Sequence, residues 1–142
     1  MTRWILALGM VIAAVFITGL ASQGRAATRP GVALVCTLQP GVSGKGGIDR
    51  AALCEAFRRR IEGATGAPVR LATAVPAGVK ARWVSVDIRV PRRNALEARM
   101  TSQLSARRVN HHPIAIDVMD KALGQRDVDS LAQVVAKQLP VL

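Results

Sequence analysis

Residues 82–104 constrain the fold more than any other part of the chain. Val84, Val86, Ile88 and Val90 fall at every second position, with Trp83, Ser85, Asp87 and Arg89 between them. Leu96, Ala98, Met100 and Leu104 then share a face opposite Glu97, Arg99, Thr101 and Gln103. A period of two predicts two strands, each with one apolar and one polar face. The connection, Pro91-Arg92-Arg93-Asn94, decides how they pair. A loop of two or four residues sets Val90 against Ala95 and Ile88 against Glu97, which mixes the faces. A three-residue loop, Arg92-Arg93-Asn94, pairs Pro91 with Ala95, and then Val90 meets Leu96, Ile88 meets Ala98 and Val86 meets Met100. The same register sets Arg89 on Glu97, Asp87 on Arg99 and Ser85 on Thr101. Opposite charges so placed contribute roughly 0.2–1 kcal/mol per pair, and Asn94 tolerates the left-handed conformation that ends such a loop. The four charged residues therefore read as a solvent-facing ladder rather than as catalysts.

The remaining elements are ordered around this hairpin. Residues 32–38, VALVCTL, form a continuous apolar run of strand length, as expected of a strand buried on both faces. A helix starts after Asp49 as N-cap, with Ile48 and Leu53 placed to close a hydrophobic staple. Leu53, Phe57 and Ile61 are its core stripe, Arg58, Arg59 and Arg60 fan across its outer faces, and Gly63 and Gly66 end it. Residues 69–75 read as a strand with Val69, Leu71, Thr73 and Val75 on one face, and 114–118 as a last strand after a loop over 105–113. A closing helix follows Gly124, capped by Asp127 or Asp129, with Val128, Leu131, Val135 and Leu139 as its stripe and Val134 widening it. The expected fold is α+β: a two-layer sandwich of order β-α-β-β-β-β-α, its sheet mostly antiparallel in a meander, both helices on one face.

The ends and the cysteines bear on location. Met1-Thr2-Arg3, an apolar run from Trp4 to Ala21, a polar segment Ser22-Gln23-Gly24-Arg25 and then the small residues Ala26-Ala27 follow the order of a secretory signal. Residues 1–26 are therefore expected to be a signal peptide, cleaved after Ala26 in preference to Ala21, with an uncleaved membrane anchor as the alternative because the run sits at the short limit for a bilayer span. Residues 27–142 suffice for one domain. In an oxidising compartment Cys36 and Cys54 are expected to form a disulfide that pins the first helix to the first strand and encloses the glycine-rich loop; two unpaired buried thiols are the alternative. Loss of Arg3 and Arg25 with the signal lowers the net charge from +11 to +9. Such a charge suits an acidic partner, although base composition alone also enriches a chain in arginine.

The segments VALVCTL, IDRAALCEAFRRRIEG, WVSVDIRV and DSLAQVVAKQL, taken in order, resemble the N-terminal domain of TolB and related small periplasmic modules. The resemblance implies an opening strand and helix, a strand meander, a closing helix and an interaction role in the periplasm.

Motifs for chemistry are missing where they would be expected. The stretch QPGVSGKGGID (39–49) has Gly44-Lys45 followed by Gly46 and Gln39 five residues before Gly44, which breaks the phosphate-binding P-loop at both ends. Gly41-Val42-Ser43-Gly44-Lys45 has lysine where a nucleophile elbow needs its last glycine. A residual anion site at the helix start, using Lys45, stays open. His111 and His112 are adjacent and would point to opposite sides of a strand, so they do not chelate one metal easily. No enzyme, metal, cofactor or nucleotide is expected.

Two modes of action remain. In the first, the chain is an exported protein-protein interaction or assembly module that contacts another envelope protein through the polar sheet face around Trp83 and Arg99, flanked by Arg92 and Arg93. Trp83 is there either an exposed contact or a side chain covered by the 105–113 loop. In the second, arginine clusters bind a polyanion or an anionic lipid surface, with Lys45, Arg58, Arg59, Arg107 and Arg108 as contacts. With Trp83 and Phe57 as the only aromatics of the mature chain, base stacking has little to work with. An unrecognised hydrolase is the third possibility.

Overall fold

The computed structural model describes residues 30–39, 48–92, 94–119 and 123–142. The leader over 1–26, Lys45 with most of its glycine-rich loop, and Arg93 lie outside the described residues. The elements run β1 (Val32–Leu38), α1 (Arg50–Thr65), β2 (Val69–Ala72), β3 (Trp83–Arg92), β4 (Ala95–Gln103), β5 (Val109–Asn110), β6 (Ile114–Asp117) and α2 (Gln125–Ala136).

Local chemistry sets the helix limits. The Asp49 carboxylate accepts a 3.1 Å hydrogen bond from the Ala52 amide, and Ile48 is buried beside Leu53, as a staple requires. The helix continues through Gly63 and stops at Gly66, whose φ of 70° is the left-handed cap that glycine adopts without a Cβ penalty, its N–H bonding to Glu62 O. Gly63 thus lies within the helix and does not end it. Asp127 works at the start of α2 from the third helical position: its carboxylate accepts the Gly124 amide at 2.8 Å. Val128, Leu131, Val135 and Leu139 are buried as their spacing predicts, but Val134 is exposed.

The fold is α+β, with a sheet of order β2-β1-β3-β4-β5 and β6 on the upper half of β4. The sheet is mixed, not mostly antiparallel: β1 pairs parallel with both β2 and β3, while β4 pairs antiparallel with β3, β5 and β6. The reason lies in α1. A helix of 16 residues between two strands carries the chain back along the sheet, so β2 re-enters beside β1 in the same direction. The connection over 73–82 must then return the chain again, because β3 is also parallel to β1. Strand β2 accordingly ends at Ala72; Thr73 and Val75 lie in the returning connection, exposed, and Leu71 on this edge is 48% exposed.

The hairpin register agrees with the expectation from Ser85↔Thr101 through Val86↔Met100, Asp87↔Arg99 and Ile88↔Ala98 to Arg89↔Glu97. Beyond Arg89 a bulge intervenes and Arg92, not Pro91, pairs with Ala95. Pro91 has no N–H to give a ladder, and a bulge is where a sheet accommodates such a residue. Val109–Asn110 adds a short strand where a loop was expected.

Both helices pack on one face of the sheet. Phe57, Leu53 and Ile61 from α1 and Val128, Leu131 and Val135 from α2 meet Val32, Leu34, Val84, Val86, Ile88 and Leu96, all essentially inaccessible to solvent. The Cys36–Cys54 disulfide joins β1 to α1 across a Cα–Cα distance of 5.8 Å. This bridge accords with an oxidising compartment. No helix among the described residues is long and apolar enough to cross a membrane.

Candidate functional site

The second face of the sheet carries no helix among the described residues, and strand parity assigns its side chains. Reading across from β1 to β4, one rung holds Ala33, Trp83 and Gln103, the next Val35, Ser85 and Thr101, and the next Thr37, Asp87 and Arg99. Arg89 and Glu97 form the rung above. Arg70 on β2 lies beside Ala33.

The charged ladder exists, in an altered form. Arg89 reaches Glu97 at 2.6 Å, as its register predicts, but the Arg99 guanidinium turns along its own strand to the same Glu97 Oε1 at 3.0 Å. Hydrogen bonds from Arg89 first and Arg99 second hold the Glu97 carboxyl below the usual carboxylate range. Asp87 is left half-buried with no ion pair among the described residues, and Arg89 Nε is buried without a hydrogen-bond partner. The side chain of Arg99 is 57% exposed. Arg92 lies 3.7 Å from Asp117 in an exposed pair.

Trp83 is on this face but is only 2% exposed, so it is not an open contact. Two things account for its cover. The Arg108 guanidinium lies 5.0 Å from the ring centroid, a cation–π arrangement. Beside it, Gln103 Nε2 approaches the carbonyls of Gly78, Val79 and Ala81 at 3.0, 3.3 and 2.9 Å, which draws the 73–82 connection onto the Trp83 rung. The alternation of β3 gives the face of Trp83 correctly and says nothing about what a neighbouring loop does there. Gln103 is the residue that sequence reasoning passed over, since one glutamine in a strand carries no signal of the loop it will hold.

The arginines expected to contact anions separate into distinct groups. Arg58 is committed internally: it bonds Glu55 at 2.6 and 2.8 Å and Glu62 at 3.0 Å, while the same Glu62 carboxylate accepts the outward Val69 amide of edge strand β2. The Glu55 bond leads in raising the Arg58 pKa above its ordinary value. Together they occupy part of the sheet edge, which blunts it against pairing with other chains. Arg59 lies in a shallow cleft of about 160 Å³ with Ala56, Arg60 and Asp129, on the helix layer. Arg108 is at the opposite side, over Trp83, and Arg107 precedes it as an exposed residue of the same connection.

A second cavity, of about 420 Å³, is lined by the disulfide, Asp49, Arg50, Ala51, Leu71 and Ala72. Ser102 and His111 meet through a 2.7 Å hydrogen bond between Oγ and Nε2, a pairing that no spacing suggested. Ser102 is buried on the helix side of β4 and its hydroxyl is closed off by this bond. Among the described residues no group of three His, Cys, Asp or Glu could hold a metal ion. Burial, reinforced by the neighbouring charge of His112, pushes the His111 pKa below the ordinary 6.5. The unfolded chain then binds the proton more readily, so stability is fully present above pH 6.5 and falls as the pH drops below it. Urea midpoints are expected to decline over that interval, and His111→Gln is expected to flatten the decline.

No protein-family model matches the chain, and no curated protein matches it significantly. A solved structure described as the crystal structure of an uncharacterized protein is similar at a TM-score of 0.47 and 11% identity, over 76% of this chain and 86% of that chain.

Proposed function

We propose that this chain is an exported, non-enzymatic envelope protein that acts by contact, as an interaction or assembly module presenting the uncovered face of its sheet to another envelope protein. The observation that carries the reading is that face itself. It holds a preorganised Arg89–Glu97–Arg99 network with an exposed guanidinium at one end, and in register with Arg99 lies Asp87, which makes no ion pair to a described residue. Charges fixed in this way confer specificity and register on a contact more than bulk affinity. The oxidised cysteine pair supports export, and the resemblance in element order to the N-terminal domain of TolB supports a periplasmic role.

The test is capture from the cell envelope by the exported, oxidised protein, washed at high salt. A discrete protein is expected to remain bound, to be lost with Arg99→Glu, and to be kept with Arg59→Glu on the helix layer. At an interface a reversed charge facing its former partner costs several kcal/mol, so the loss should exceed tenfold. Equal retention by both variants would remove the uncovered face from the account.

A further inference from the structure

The distribution of charge along the chain is uneven, and the fold concentrates it. Residues 63–86 contain no Asp or Glu and carry Arg70, Lys80 and Arg82; residues 98–116 contain none either and carry Arg99, Arg107 and Arg108. Because β4 runs antiparallel to β3, the end of β4 and the start of β3 lie together. Arg82, Arg107 and Arg108 therefore flank strand termini at one end of the sheet, where β2 also begins with Arg70 beside Ala33. The acids on the sheet face, Asp87 and Glu97, are two and more rungs away.

The same end shows aliphatic side chains to solvent. A tight turn over Gly78–Ala81, closed by an Ala81 N–H to Gly78 O bond of 3.3 Å, sets Val79 and Lys80 at its corner. Val79 is 66% exposed, and the turn is not loose, since Gln103 fastens its carbonyls to β4. Val109, directly after Arg107-Arg108, is exposed as well. A soluble acidic polysaccharide engages the cations and offers no apolar phase for the valine. A rigid turn that holds an unpaired valine outward among lysine and arginine matches a bilayer surface, where cations meet headgroup phosphates and a short apolar side chain enters the acyl boundary.

We propose that this end of the domain, formed by Val79, Lys80, Arg82, Arg107 and Arg108, docks on an anionic phospholipid bilayer. This goes beyond the contact role of the upper sheet face and leaves that face free. β1, which receives the chain from its N-terminal side, begins at this same end, so an upstream apolar run retained in the membrane would set these residues against the lipid.

The experiment is co-sedimentation of the exported chain with vesicles of phosphatidylcholine alone and of equal parts phosphatidylcholine and phosphatidylglycerol. Binding is expected on the anionic vesicles only. Lys80 and Arg107 are exposed and make no ion pair to a described residue, so Lys80→Glu with Arg107→Glu tests the surface without disturbing the fold. Each cation at an anionic surface is worth about fivefold in partitioning, so the double reversal is expected to weaken binding by more than tenfold. Arg59→Glu with Arg60→Glu changes net charge equally on the helix layer and is expected to leave binding within about twofold. Val79→Asn is expected to weaken vesicle binding about fivefold while leaving retention on heparin unchanged. Equal loss in both double variants would mean that only net charge is sensed and would overturn the site. Insensitivity to Val79→Asn, with heparin competing fully, would identify a soluble polyanion as the occupant and overturn the bilayer.

Discussion

Trp83→Ala is expected to lower the unfolding free energy by about 3 to 5 kcal/mol, the range for removing a large aromatic from a buried position. The side chain is closed in by Arg108 and by the connection that Gln103 fastens to β4, and the turn in that connection is closed by its own Ala81 N–H to Gly78 O bond, which opposes collapse into the space. Arg108→Ala removes the cation over the ring and is expected to cost only about 0.5 to 1 kcal/mol. Urea titration of the three proteins checks both values. A change within about 0.5 kcal/mol for Trp83→Ala would mean that the indole is solvent-exposed, as surface substitutions are. The same destabilisation has a consequence for binding assays: loss of a partner in Trp83→Ala reports unfolding of the site and not removal of a contact, which is why Arg99 is the residue to change.

The second large effect concerns the disulfide. Replacing Cys36 with serine and Cys54 with alanine is expected to cost about 3 kcal/mol, because a closed loop of 18 residues no longer restricts the unfolded chain. For a domain of this size that corresponds to a fall in Tm of roughly 10 °C or more. The urea dependence should also steepen, since a chain without the bridge exposes more surface on unfolding. Thiol reductant is expected to bring the native protein to the midpoint of the double variant. Identical midpoints for the oxidised, reduced and substituted proteins would show that the bridge adds nothing to stability.

Where the sequence could be read correctly, two independent patterns had to agree. The β3–β4 register is legible because apolar residues on one face and complementary charges on the other select the same alignment, so a slip by one residue violates both. Asp49 and Gly66 are legible because a helix end has specific unsatisfied groups that few residue types fill. Direction of pairing is different. Val69 and Leu71 alternate equally well in a parallel or an antiparallel partner, and the helix between β1 and β2, not their side chains, decides for parallel. The bulge at Pro91 follows from a missing N–H, which competes with the loop geometry used to place Asn94.

The candidate surface was only half legible for a similar reason. Strand parity sends Trp83, Asp87 and Arg99 to one face, but a long guanidinium chooses among neighbours within reach. Arg99 pairs along its strand with Glu97 instead of across to Asp87. The cover over Trp83 depends on Gln103 and Arg108, 20 and 25 positions further along the chain, the first of which fastens the turn over 78–81 beside the ring. Arg58 looked like one of three free cations, yet Glu55 and Glu62 stand three positions before it and four after it on the helix, where i,i+3 and i,i+4 pairs meet.

The central claim is that the uncovered sheet face is the working surface of the protein. The most direct measurement is site-specific photo-crosslinking in the intact envelope, with a photoreactive residue placed at Thr37 or Arg99 on that face and, separately, at Arg59 on the helix layer. A single discrete protein adduct from positions 37 and 99, absent from position 59, is the predicted result. Adducts from position 59 alone, with none from the sheet face, would contradict the account and move the interface to the helices.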